Sequence, residues 1–203
     1  AHVGVVVDPA DYDRVAAEIE AGRALSAATR FDLMKKAFAH TAGYDAAIAA
    51  WLRSTTPESA PAGELLPERL TLALAREFET RYGENPHQPA AVYRLAGGSG
   101  LLGGMRQMQG KELSWNNLLD ADAARKLVAL FDEPAVVIVK HNNPCGVGRG
   151  ADLVTAYGRA LECDPVSAFG SIVAVNRPLT EELVAAFADL FIEVLIAPES
   201  SEA

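Results

Sequence analysis

From residue 135 onward, short β-branched runs alternate with amphipathic helical stretches, and this alternation restricts the fold more than any other feature of the chain. Ala135 to Val139 and Ser171 to Val175 are continuous apolar runs of strand length, and Ile192 to Ala197 is a third. Asp152 to Leu161 and Thr180 to Leu190 carry helical periodicity between them, the second with Thr180 as N-cap. Strands alternating with helices imply an α/β layer built on a parallel or mixed sheet.

Upstream, Asn117 to Phe131 reads as an amphipathic helix, with Leu118, Leu119, Ala123, Leu127 and Leu130 on its apolar face. Leu70 to Phe78 and Ala90 to Leu95 read as strands, and the glycines between 97 and 104 read as loop. At the start of the chain, Ala1 to Val7 reads as a strand. Asp8-Pro9 then opens a helix that stops near Gly22. A longer helix runs from about Ser26 to Leu52, with Phe31, Met34, Phe38, Tyr44, Ile48 and Trp51 along it. Residues 53–67 are rich in proline and small polar residues, so they read as a linker between domain 1–52 and domain 68–203. The chain lacks an initiator methionine, opens directly on a strand-like run and stops soon after another, which suggests a piece of something longer.

Charge and composition exclude several classes. The net charge of -9 disfavours a nucleic-acid binder, which needs a basic face. No apolar run has the length of a membrane span. The two cysteines, Cys145 and Cys163, with no secretory signal, suit a reducing cytoplasm.

The segment Lys140-His141-Asn142-Asn143-Pro144-Cys145-Gly146 follows the apolar 135–139 run. Neighbours on a strand point to opposite faces, so the backbone must leave strand geometry if Lys140 and His141 serve one site. A turn with Pro144 at its second position and Gly146 closing it would do this. A histidine exchanges protons near neutral pH and a lysine is a compact cation, which suits an amine losing a proton while a carbonyl oxygen gains charge. The same residues equally fit a solvated strand end and a capping histidine.

Arg81-Tyr82-Gly83-Glu84-Asn85-Pro86-His87-Gln88 is either a ligand-binding loop, with Arg81 suited to phosphate, or a surface turn between strands. Ser167-Ala168-Phe169-Gly170-Ser171 is a small-residue loop in which Gly170 would allow close approach of a ligand. Asn116 or Asn117 can simply cap the helix that follows. Pro144-Cys145-Gly146 resembles half of a nucleobase-deaminase zinc site, but the second cysteine that site requires is Gly148 here, and zinc is rejected. The glycines between 97 and 104 lack the lysine and spacing of a P-loop.

Taken together, Lys36 to Thr41, Arg81 to Gln88, Asn117 to Ala121, Lys140 to Gly146 and Ser167 to Gly170 resemble one family: the bifunctional purine-biosynthesis enzymes that join a phosphoribosylaminoimidazolecarboxamide (AICAR) formyltransferase to an IMP cyclohydrolase. The segments stand in family order. The resemblance implies that 1–52 is the C-terminal part of a methylglyoxal-synthase-like cyclohydrolase domain. It implies that 68–203 is the first cytidine-deaminase-like α/β/α subdomain of the formyltransferase, without zinc. The cyclohydrolase catalytic residues and the second formyltransferase subdomain would lie outside this chain.

By the same resemblance, Lys140 and His141 are the catalytic pair, and Arg81 and Tyr82 bind AICAR in the neighbouring subunit of a homodimer. His87, Asn117, Gly170 and Glu193 fall at further AICAR positions, with a glutamate at 193 where aspartate also occurs. The co-substrate would be 10-formyltetrahydrofolate, with no metal, no nucleic acid and no membrane, in the cytoplasm. The competing expectations are an inactive structural or dimerisation fragment, a zinc-dependent deaminase and a nucleic-acid-binding module.

Overall fold

The computed structural model describes residues 2–53, 66, 68, 70–95 and 105–198. The chain divides into two compact units, Ala1–Ala75 with Leu95–Gly97, and Arg76–Arg94 with Gly98–Ala203. Most of the stretch read as a linker, 53–67, and the glycines at 97–104 lie outside the described residues.

In the first unit the expected strand does not form: residues 2–8 are irregular. β-branched sequence alone does not hold a strand without a neighbour to complete its hydrogen-bond ladder. Asp8 caps a 3-10 turn, Pro9–Asp11, its side chain accepting from Ala10 N at 2.9 Å. The turn runs into α1, Tyr12–Gly22, and α2 spans Ala27–Arg53. The buried carboxylate of Asp11 pins these helices together. It receives Lys36 Nζ at 2.7 Å on both oxygens and Arg14 Nη2 at 3.0 Å. Of the residues along α2 only Leu33 is buried, and Phe31, Phe38, Tyr44 and Trp51 are exposed.

In the second unit, a four-stranded sheet is covered by helices on both faces. Its elements follow in the order α3 (Trp115–Val128), β3 (Ala135–Lys140), β4 (Asn143–Arg149), α4 (Leu153–Cys163), β5 (Ser171–Val175), α5 (Glu181–Ala186) and β6 (Ile192–Ile196). Two earlier strands, β1 (Leu74–Glu79) and β2 (Ala91–Leu95), pair as a separate sheet. β1 starts four residues later than the leucine alternation suggests and is exposed throughout.

The sheet order is β4-β3-β5-β6, with β3 antiparallel to β4 and β5, and β5 parallel to β6. The architecture is therefore mixed α/β. The run from Ala135 to Val139 is fully buried because its alternate side chains serve two different cores. Val136 and Ile138 pack with Leu153, Tyr157 and Leu183 of α4 and α5. Val137 and Val139 pack with Ala121, Ala124 and Val128 of α3.

β4 is the element the sequence concealed. Pro144 and two glycines look like turn material, yet they lie in a strand paired with β3, with Val139 opposite Pro144. β4 is an edge strand of this sheet, where a proline's missing N–H costs no ladder bond. The glycines answer to α4. A Cβ on Gly146 would stand 2.1 Å from the carbonyl oxygen of Ala160, and one on Gly148 2.0 Å from that of Ala156. The helix backbone thus rests almost directly on the strand.

Candidate active site at the tip of the β3–β4 hairpin

The register places one end of the sheet as the meeting point of distant segments. β3 ends there at Lys140, while β4, β5 and β6 begin there, with Val139 opposite Ile172 and Ser171 opposite Ile192. The end is thus not a row of strand carboxyl termini, the expectation for an open parallel sheet. Only β3 contributes a carboxyl end, because two of the three pairings are antiparallel.

The turn at the tip also differs from the expectation. It is not closed by Pro144 and Gly146. His141 and Asn142 alone link β3 to β4, with φ of 52° and 62°. Two consecutive residues at positive φ make a type I′ hairpin turn, whose twist matches that of the flanking strands. Holding an L-residue in this region costs about 1–2 kcal/mol, least for asparagine. The backbone therefore leaves strand geometry at His141 itself, earlier than a turn with Pro144 at its second position would place it.

Two contacts hold this conformation. Asn143 Nδ2 donates to the carbonyl oxygen of His141 at 2.9 Å, and Asn142 N donates to Asp120 Oδ1 of α3 at 2.6 Å. His141 is exposed. Lys140 is half-buried, and its Nζ donates to the carbonyl oxygen of Phe169 at 2.7 Å. Asp164 lies near enough to feel the lysine. Its carboxyl is held below the usual range chiefly by hydrogen bonds from the side chain and backbone of Ser167, with the Lys140 charge adding to them. Burial pushes the Cys145 thiol up, and its Sγ faces the carbonyl oxygen of Ile138 at 3.6 Å.

The loop carrying Gly170 is tied to the same end. Gly170 has φ of 70° and donates its N–H to Phe191 O at 2.7 Å. A Cβ there would come no closer than 3.8 Å to the Phe191 ring, so conformation rather than crowding demands glycine. Glu193 follows on β6 and pairs with Arg81 Nη2 at 3.9 Å. Arg81 also lies over the Tyr82 ring, 4.9 Å from its centroid, and donates to the Tyr82 hydroxyl at 3.2 Å. Arg81 thus contacts both Tyr82 and Glu193, while Lys140 and Gly170 contact the backbone of Phe169 and Phe191, respectively.

The other two candidates sit differently. Asn117 is buried and completes a capping box at the start of α3. Its Oδ1 accepts from Ser114 N at 2.9 Å and from Ser114 Oγ at 2.8 Å. The capping reading of this residue is therefore correct. His87 is exposed on the turn made by Asn85 to Gln88, whose closing bond is Gln88 N to Asn85 O at 3.0 Å. No contact among the described residues links His87 to Lys140. The 81–88 loop is nevertheless docked on α3, through Trp115 N to Tyr82 O at 3.0 Å and Asn116 Nδ2 to Glu84 O at 3.1 Å.

Asp120 was part of a recognisable segment but had no assigned role, since a lone acidic residue on a helix carries no signal of what it will meet 22 residues later. An open concavity of about 640 Å³ lies at the base of the hairpin, beside Glu133, Arg149, Gly150 and Arg159. Its arginines are committed, Arg149 to Glu133 at 3.2 Å and Arg159 to the Arg149 carbonyl at 2.6 Å. Among the described residues no three His, Cys, Asp or Glu side chains gather as a metal site, and no helix is long and apolar enough to cross a membrane.

Comparison with known proteins gives a consistent match. The family described as the AICARFT/IMPCHase bienzyme covers residues 1–203. A bifunctional purine biosynthesis protein PurH from Anaeromyxobacter dehalogenans (strain 2CP-C) is 57% identical over 201 residues, covering 98% of this chain and 38% of that protein. The PurH of Anaeromyxobacter sp. (strain Fw109-5) is 53% identical over 205 residues, covering 100% of this chain and 39% of its own length. The chain thus spans about two fifths of the curated relatives it matches.

Proposed function

Because the chain belongs to the AICARFT/IMPCHase bienzyme family, we propose that the intact protein formylates AICAR with 10-formyltetrahydrofolate and closes the product to IMP, in the cytoplasm. The observation that carries this reading is the left-handed turn at His141, which breaks strand geometry directly after Lys140, at the end of the sheet where β5 begins after Gly170.

The chemistry is demanding because the AICAR amine is a poor nucleophile, its lone pair being delocalised into the ring and carboxamide. His141, exposed at the turn, takes the amine proton as the nitrogen attacks the formyl carbon. Lys140 stabilises the oxyanion that forms. Collapse of that intermediate breaks the bond from the formyl carbon to the folate nitrogen, which leaves with a proton. The products are formyl-AICAR and tetrahydrofolate. The Lys140 ammonium has three donors and spends one on Phe169, which leaves two for the oxyanion and the leaving nitrogen.

Arg81 and Tyr82 bind AICAR in the neighbouring subunit's site, where the Arg81 guanidinium is suited to a bidentate bond to the phosphate. His87, Asn117, Gly170 and Glu193 complete the AICAR side. Residues 1–52 belong to a methylglyoxal-synthase-like cyclohydrolase domain, 53–67 to a linker and 68–203 to a cytidine-deaminase-like subdomain. The helix-covered mixed sheet supports the last assignment. Membership of the family supports a homodimer in which each subunit lends Arg81 and Tyr82 to its neighbour's site.

The test is Lys140→Ala and His141→Ala in the full-length enzyme. Formyl transfer falls by about 100- to 1000-fold, while cyclisation of supplied formyl-AICAR is unchanged. Near-normal formyl transfer in either variant removes the roles assigned here.

A further inference from the structure

We propose that Asp120 is a positioning residue for formyl transfer, holding the His141–Asn142 turn in its left-handed conformation by accepting the Asn142 amide. The inference rests on the reading of Lys140 and His141 as the reacting pair.

A type I′ turn of two non-glycine residues needs support from outside the hairpin. Asn142 N–H lies beyond the last ladder pair, Lys140 opposite Asn143, so the strands supply it with no acceptor. Its acceptor is Asp120 Oδ1 at 2.6 Å, a short bond to an acidic side chain. Movement of His141 in or out of its left-handed φ must swing this amide, so the bond selects the backbone state that presents the imidazole.

Asp120 can do this because α3 is rigid. Ala121 and Ala124 are completely buried against the sheet, and Ser114 and Asn117 cap the helix start reciprocally. The same helix docks the Arg81–Tyr82 loop through Trp115 N and Asn116 Nδ2. One helix therefore anchors both the Arg81–Tyr82 loop and the turn that bears His141, with Asp120 as the contact on the turn side.

The experiment uses the full-length enzyme, with Asp120→Ala, Asp120→Asn and the double variant Asp120→Ala/Asn142→Gly. Misplacing a reacting group by about an ångström costs on the order of 100-fold, so Asp120→Ala lowers kcat for formyl transfer by that order. The KM for AICAR and the cyclohydrolase rate stay as they were. Asp120→Asn keeps the acceptor oxygen and restores most of the rate. The double variant restores part of it, because glycine enters the left-handed region without a tether. Amide exchange at residue 142 quickens in Asp120→Ala and not in Asp120→Asn.

Unchanged exchange at residue 142 in Asp120→Ala overturns the tether. So does an Asp120→Asn enzyme as slow as Asp120→Ala, which would mean that the carboxylate charge acts directly. Formyl transfer that survives His141→Ala would instead remove the underlying reading, and the exchange measurement would still decide whether Asp120 holds the turn.

Discussion

Lys140 Nζ reaches across from the last residue of β3 to the carbonyl oxygen of Phe169, 2.7 Å away in the loop that opens β5. The lysine therefore has two jobs that can be separated. Lys140→Met is expected to lower formyl transfer by about 100- to 1000-fold and also to quicken amide exchange across residues 166–170. His141→Ala is expected to lower the rate without loosening that loop. Equal exchange in the two variants would show that the Phe169 contact contributes nothing to loop order.

The close seating of α4 on β4 makes opposite demands on two glycines. Gly148→Ala forces a Cβ to within 2.0 Å of the Ala156 carbonyl oxygen, backbone against backbone, and should destabilise the protein by about 1–3 kcal/mol. Gly158 lies in α4 with nothing within 4 Å of its missing Cβ. There Gly158→Ala should stabilise by about 0.5–1 kcal/mol. Urea unfolding of both variants checks the pair, and a neutral Gly148→Ala would contradict the packing.

The two cysteines should differ in reactivity. Burial raises the Cys145 thiol above its ordinary 9.0, so less thiolate is present at a given pH. Cys163 is exposed. Iodoacetamide at pH 8 is expected to modify Cys163 well before Cys145, followed by mass spectrometry of the peptides. Labelling of Cys145 first would show that its surroundings are open.

Acid should weaken the start of α4. Asp152 caps it by accepting Thr155 N at 2.7 Å, and hydrogen bonds from the Thr155 backbone and side chain hold its carboxyl below the ordinary 3.8. A group whose folded pKa is depressed stabilises the fold above its unfolded value, and that contribution is lost as pH falls through the lower folded value. Asp152→Asn, which cannot titrate, should flatten the loss of stability below about pH 4. Denaturant midpoints at pH 6 and pH 3 measure it, and parallel acid limbs for variant and parent would refute the cap's contribution.

Much of the second unit was legible from local sequence. The β-branched runs at 135–139 and 171–175 are strands because alternate residues meet helices on each face, so no polar position interrupts them. Thr180 caps α5 as its position before Glu181 suggests, with its Oγ1 accepting Leu183 N at 3.3 Å. β4 was illegible for a physical reason. Proline and glycine ordinarily mark turns, and only the edge position and the weight of α4 on the strand explain them here. The opening strand failed in the reverse sense, since a favourable composition found no partner strand among the described residues.

The chain's own residue order determines which chemical groups exist and which segments become strand or helix, because propensity, capping and periodicity act over a few neighbours. It places Lys140 beside His141 and a glycine at 170. Tertiary structure alone decides that Arg81 meets Glu193 and that Asp120 meets the Asn142 amide. Those pairs are 112 and 22 residues apart, and strand register and helix docking, which depend on the whole packed core, bring them to one end of the sheet.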